Sequence, residues 1–285
     1  MGRSPCGLIG IGELGRRLTM LSLGKKVRLK RILNSKSGKL FIVTVDHPIT
    51  RGMFPGLVNM EDTLEKLVQG GPDALLMHKG IAERFFHPYA GEIPLVLKTS
   101  SFSPFHPTYD TWVAQADEAI RLGADAVSMG VILGSDRQDE MLRNLGALSR
   151  DAALSGLVLM AHMYPKGELI KDEERYSVQS LTYCVRAGEE LGVDVIKTWY
   201  PGDPESFSKV VEVAPGKVVA AGGPKADTDE QLLEVTRGVM DAGALGVAYG
   251  RNIWGHQDPV SIIKALKVVI HENKGVKEAL EVLRG

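Results

Sequence analysis

Short apolar runs alternate eight times with longer amphipathic segments, and a glycine recurs between one helix end and the next strand; together these predict an α/β chain folded as a single (β/α)8 barrel. Residues 1–40 precede the first run and read as an N-terminal extension covering the barrel, and residues 41–285 read as the barrel itself. Strands buried on both faces show up as continuous apolar runs, and helical segments between them imply parallel crossovers. Eight such strands in roughly 250 residues fit a closed barrel better than an open doubly wound sheet.

In order the runs are FIVTVDH from Phe41, DALLMH from Asp73, PLVLKT from Pro94, DAVSMGV from Asp125, LVLMAHMY from Leu157, DVIKTW from Asp194, KVVAAGG from Lys217 and LGVAYG from Leu245. Helix-like stretches lie between and after them, including EDTLEKLVQ from Glu61, TWVAQADEAIRL from Thr111, EQLLEVTRGVMDA from Glu230 and VSIIKALKVVIHE from Val260. GGPDALL from Gly70, GADAVSM from Gly123, GVDVIKT from Gly192 and GALGVAY from Gly243 repeat one punctuation. Glycine caps a helix in the left-handed conformation and a strand follows within a few residues. GIGELG from Gly10 does not make a dinucleotide fingerprint, since it follows no strand and opens no βαβ unit. The basic segment GKKVRLKR from Gly24 reads as a solvated face or a cover over the barrel bottom.

Composition narrows the function. At 44% hydrophobic and 24% charged the chain is ordinary and globular, and a formal net charge of -1 offers no electrostatic reason to bind nucleic acid or an anionic membrane. No apolar run approaches the roughly 20 residues that span a bilayer, and LIGIG from Leu8 is too short for a signal-peptide core. Cys6 and Cys184 are too few for a disulfide framework and fit a reducing compartment, so a cytoplasmic location is expected.

In a barrel of this kind, chemistry belongs at the C-terminal strand ends. Strand one ends in Asp46 and His47, strand two in His78 and Lys79, strand three in Lys98 and Thr99, strand five in His162 and Tyr164, and strand six in Lys197. Strands seven and eight end in Gly222, Gly223 and in Gly250, Arg251. Glycines there let backbone amides approach an anion, and Arg251 at the start of a short helix adds a full charge, the usual barrel phosphate site. An ammonium among β-branched neighbours loses hydration, so its proton is held less tightly and the neutral amine can attack a carbonyl. Lys197 fits that description, although a snorkelling or ion-paired lysine would look the same in sequence. Lys98, in the equally apolar PLVLKT, is a rival nucleophile, and physical chemistry alone does not choose between them. Lys79 and Lys166 stand beside glycines in loop-like sequence, where lysines are usually exposed. Tyr164 and Asp46 are the candidate proton shuttles, against plainer readings as a packed aromatic and a counter-ion.

At these residues the chain resembles the archaeal-type class I aldolases of the DeoC/LacD-like superfamily. These are fructose-bisphosphate aldolases and the related 2-amino-3,7-dideoxy-D-threo-hept-6-ulosonate synthase of an alternative route to aromatic amino acids. The likeness runs from about residue 24 to the C-terminus and is carried by VDH from Val45, LLMHKGI from Leu75, GADAVS from Gly123, MYPKG from Met163, VIKT from Val195, AGGPK from Ala221 and GRNIW from Gly250. The resemblance implies a TIM barrel that makes or breaks a C–C bond in a phosphorylated ketose, with an aldehyde partner, no metal or other cofactor, and a homo-oligomeric assembly. It implies Lys197 over Lys98 as the Schiff-base lysine, Tyr164 as proton donor, and Asp46 as a substrate-bonding residue that assists proton transfer. Gly222, Gly223, Gly250 and Arg251 would hold phosphate, and His47 and Lys166 join the candidate binding residues.

LLMHKGI and AGGPK lean toward the synthase branch. Two departures bear on substrate: Pro48 stands where the family commonly has glycine after Asp-His, and SSFSPFHPTY from Ser100 does not resemble the family's usual segment. Three other readings are weaker. A thiolase acting on phosphorylated autoinducer-2 shares the barrel and lysine but lacks the tyrosine of MYPKG. A metal-dependent barrel hydrolase would use His47, His78 and His162 but lacks an HxH pair on strand one. A non-catalytic sugar-phosphate binder would not need Lys197 and Tyr164 together.

Overall fold

The structure, a computed structural model, describes residues 22–223 and 225–285. Cys6 and the GIGELG segment lie outside the described residues. Helix α1 (Leu23–Ile32) precedes β1 (Leu40–Thr44), a short helix α2 (His47–Arg51) and α3 (Met60–Gly70). Next come β2 (Ala74–His78), α4 (Lys79–Phe85), β3 (Leu95–Lys98), the hairpin β4 (Ser100–Ser103) and β5 (His106–Trp112), and α5 (Ala116–Arg121). The chain continues through β6 (Ala126–Leu133), α6 (Gln138–Ser155), β7 (Val158–Pro165), α7 (Val178–Glu190), β8 (Val195–Thr198) and α8 (Pro204–Val211). It ends with β9 (Val218–Ala221), α9 (Asp229–Asp241), β10 (Gly246–Tyr249), α10 (Arg251–Trp254), α11 (Pro259–Ile270) and α12 (Val276–Arg284).

The parallel strands close into a barrel in the order β1-β10-β9-β8-β7-β6-β3-β2. Each of the eight runs read from sequence supplies one barrel strand, with β1 starting at Leu40, one residue inside the expected extension. Gly71, Gly123, Gly192 and Gly243 all have positive φ, as the repeated helix-glycine-strand pattern requires. Closure depends on Gly246: a Cβ there would run into the backbone of Leu40, its partner across the β10–β1 seam.

Strand side chains alternate between the two faces. Phe41, Val43, Leu75, Met77, Leu95, Leu97 and their counterparts face the surrounding helices in one apolar cluster. Leu40, Ile42, Leu76, Val96, Met160, Val195 and Val219 form a second cluster with Leu29 and Ile32 of α1. That second cluster fills the barrel interior and its lower end, and α1 is the plug.

The plug is held electrostatically as well. Lys25 pairs with Asp194 at 2.8 Å and Arg31 with Asp125 at 3.1 Å, while Arg28 donates to the Gly156 carbonyl at 3.1 Å. These two aspartates immediately precede strands β8 and β6, so the basic run of α1 meets acids at the barrel bottom.

One expected element is corrected. The helix read from Thr111 begins only at Ala116, where Gln115 and Glu118 form a capping box. Its first residues belong instead to β5, which pairs antiparallel with β4 through Ser100↔Trp112 and Ser101↔Thr111. Aromatic and β-branched residues in HPTYDTW favour a strand once a partner is adjacent.

The Asp194 carboxylate also accepts from the Leu159 backbone N–H at 2.9 Å. Asp194→Ala would leave Lys25 buried without its counter-ion and that N–H without its acceptor. We expect a loss of roughly 3–5 kcal/mol, read by urea unfolding; a loss below about 1 kcal/mol would show that the plug contributes little.

Candidate active site

The alternation that fills the interior continues upward into polar residues. Past Ile42, Leu76, Val96, Met160, Val195 and Ala248, the inward series reaches Thr44 and Asp46, His78, Lys98, His162 and Tyr164, Lys197, and Gly250. The barrel mouth is therefore polar by the same period-two rule that makes its body apolar. Above it lies a cavity of about 280 Å³, the scale of a small metabolite. Lys197, Tyr164, His47, Lys166, Gly222, Gly223, Gly250 and Arg251 all line it. Asp46 is buried next to this wall rather than on it.

Lys197 is buried, 6% exposed, at the end of β8. Desolvation lowers its amine from 10.5 to about 8; Asp46 opposes that change and Lys98 reinforces it. Burial alone would raise the Asp46 carboxyl, but His47, Lys197, Lys98 and His78 outweigh it and hold it below the usual range. Burial brings the His47 imidazole down to about 4 despite Asp46, so their 3.5 Å contact joins a carboxylate to a neutral ring. His78 and His162 are likewise pushed down, first by burial.

Tyr164 is half-buried and its ring stacks on Trp199 at 5.0 Å, which in turn stacks on Tyr176 at 4.9 Å. Burial, then Asp46, raises its phenol above the ordinary value, so it carries a proton at neutral pH. A fixed phenol, an amine that deprotonates easily and a buried carboxylate can exchange protons around a bound carbonyl.

At the opposite rim, Arg251 donates to the Gly223 carbonyl at 2.6 Å and Asn252 to that of Gly222 at 3.0 Å, tying the loops after β9 and β10 together. Gly250 is required by close approach: a Cβ would meet the His47 ring and, at 2.9 Å, the Thr44 carbonyl. Helix α10 is only four residues long, so its dipole is small and the Arg251 charge is the main attraction for an anion.

Several wall residues had no assigned role in the sequence: Arg51, Phe102, Trp199, Tyr176 and Asn252. Arg51 is one turn from His47 on α2, a spacing readable only once Pro48 is recognised as a first-turn helix residue and not a loop breaker. Phe102 arrives with the hairpin, and the Lys166 ammonium sits 5.1 Å from its ring centre while donating to the Pro107 carbonyl at 3.0 Å. Lys166 is thus half-buried in the wall, whereas Lys79 is exposed and pairs with Glu118 at 2.7 Å. Arg51, Lys166 and Arg251 surround a wall that includes no carboxylate.

Lys98 is off the wall, 3% exposed, donating to Ser100 Oγ at 3.0 Å and 3.7 Å from Asp110. His47, His78 and His162 do not converge on a common centre, and the described residues contain no grouping of three or more His, Cys, Asp or Glu able to hold a metal.

The sequence pattern of the DeoC/LacD family aldolase matches residues 40–256. A 2-amino-3,7-dideoxy-D-threo-hept-6-ulosonate synthase from Halobacterium salinarum is 35% identical over 263 residues, 92% of this chain and 97% of that protein. A class 1 fructose-bisphosphate aldolase from Thermoproteus tenax is also 35% identical, over 87% of this chain and 95% of its own. A solved archaeal fructose-1,6-bisphosphate aldolase, with its catalytic lysine covalently bound to the carbinolamine intermediate of the substrate, superposes with a TM-score of 0.80. It is 31% identical and is matched over 87% of this chain and 99% of its own. With a matching family pattern across the barrel and relatives of this identity over nearly its whole length, the chain belongs to the DeoC/LacD aldolase family.

Proposed function

We propose that the protein is a Schiff-base class I aldolase acting on a phosphorylated ketose, with Lys197 as nucleophile. The observation that carries this reading is the placement of a buried, easily deprotonated amine on a cavity wall between a protonated phenol and an anion-binding rim. The neutral Lys197 amine adds to the substrate carbonyl to give a carbinolamine, which loses water to become an iminium. The hydroxyl on the β-carbon gives up its proton and the bond between that carbon and the α-carbon breaks. The electron pair enters the iminium to form an enamine and an aldehyde leaves; protonation of the enamine at carbon and hydrolysis by water then release the ketone phosphate and free Lys197, and synthesis runs the same steps backwards. Tyr164 supplies and recovers the protons at the carbinolamine and hydroxyl oxygens, and the charge of Asp46 offsets part of the burial penalty on the Lys197 ammonium. Gly222, Gly223, Gly250 and Arg251 take the phosphate. Arg51 and Lys166, with no carboxylate between them, favour a second anionic group at the other end of the substrate, toward Phe102.

The relatives named above support both the aldolase and the synthase form of this chemistry. We read the protein as a cytoplasmic homo-oligomer, a setting that suits the buried thiol of Cys184, which burial makes harder to ionise. No helix among the described residues is long and apolar enough to cross a membrane.

Borohydride added with candidate ketose phosphates should leave a covalent adduct on the peptide carrying Lys197, unaffected by chelator. Absence of an adduct with every phosphorylated ketose, together with activity lost to chelator, would remove this reading. Because only the neutral amine attacks, the initial trapping rate should climb as pH rises through about 8 and then level off. A rate still climbing in the range of ordinary lysines would refute the lowered amine. In Tyr164→Phe the adduct should persist while turnover falls on the order of 10²–10⁴-fold; turnover like that of the parent would take Tyr164 out of the mechanism.

A further inference from the structure

The buried mouth holds two strand-end lysines, and only one can serve as the nucleophile. We propose that Asp110, carried into the barrel by the β4–β5 hairpin, is a positioning residue that keeps Lys98 as a fixed spectator ammonium and so reserves the free amine for Lys197. This rests on the reading of Lys197 as nucleophile and goes beyond it by giving the hairpin a part in the chemistry.

The geometry is specific. Asp110 is buried, 3.7 Å from the Lys98 ammonium, and a Cβ on Gly130 of β6 would collide with its carboxyl group. Ser100 Oγ takes a hydrogen bond from Lys98 at 3.0 Å and another from the Gly130 N–H at 2.7 Å. Gly130 stands opposite His162, and His162 opposite Lys197, so the anchored pair is linked across neighbouring strands to the nucleophile. The Asp110 N–H points to Met141 Sδ at 3.3 Å, which seats the hairpin against α6.

Charge counting gives this arrangement its meaning. Around Lys98 stand Asp46 after β1, His78 on β2, Ser100 on β4, Asp110 on β5, His162 on β7 and Lys197 on β8. Burial keeps the three histidines of the mouth neutral, leaving two lysines and two aspartates. Asp110 stands 3.7 Å from Lys98, and Asp46 is the carboxylate whose charge acts on Lys197. With Asp110 neutral, Lys98 would keep only the Ser100 hydroxyl as an acceptor and would no longer be held as the cationic neighbour that lowers the Lys197 amine.

Competitive acylation with trace acetic anhydride across a pH series, read by peptide mass, reports each lysine's amine without any substrate. In Asp110→Asn we expect the Lys197 profile to move alkaline on the order of one pH unit and acylation of Lys98 to rise. In a Lys98→Met background, Asp110→Asn should add no further shift. Should either single variant fail to fold, the double variant removes both charges together, is the better-tolerated replacement, and must show the same alkaline shift. A Lys197 profile that stays put in Asp110→Asn or in the double variant, or that moves equally with Lys98 already replaced, overturns the proposal. Borohydride trapping judges the aldolase reading separately, so either can fail alone.

Discussion

Everything at the functional end of this barrel depends on keeping one amine dry. Lys197 is inward-facing at the top of a closed ring of strands, and moving its amine from 10.5 to about 8 corresponds to roughly 3 kcal/mol against the charged form. The ring closes through Gly246 against Leu40, the plug helix α1 fills the lower end, and the Tyr164–Trp199–Tyr176 stack shields one side of the mouth. The neutral state of His47, His78 and His162 has the same cause, since burial penalises an added charge on each ring.

The two ends of the barrel show opposite electrostatic designs. At the bottom, Asp125 and Asp194 meet cations of α1, so charge is paired and serves structure. At the top, Arg51, Lys166 and Arg251 face a cavity whose wall carries no carboxylate. Cations left without acids around an open volume form a field for an anionic ligand. Pairing separates the ion pairs that hold the fold from the charges available for binding.

The β4–β5 hairpin contributes side chains to the mouth without joining the barrel strands. Its backbone stands outside the barrel sheet, yet it supplies Phe102 to the cavity, the Pro107 carbonyl to Lys166 and Asp110 to Lys98. Pro48 acts similarly after β1, starting a short helix that swings Arg51 to the same rim. The hairpin and the segment after β1 thus meet at the mouth, where Arg51 lies over Phe102, while His47 of the second packs against Gly250.

The sequence by itself determined the barrel, because strand parity, helix-capping glycines and runs of buried apolar residues are local properties that repeat. It also determined the candidate set at the strand ends, since period two continues from Val195 to Lys197 and from Met160 to His162 and Tyr164. It could not separate Lys197 from Lys98: both follow apolar β-branched runs and both are buried. Their difference lies in a residue distant in sequence, the Asp110 carboxylate beside Lys98, and in which of the two side chains reaches the cavity wall. Nor could it see that TYDTW pairs back onto Ser100 and Ser101, or that Arg51 joins Lys166 across Phe102. Those facts depend on contacts between separate segments, which only closure of the barrel brings within reach of one another.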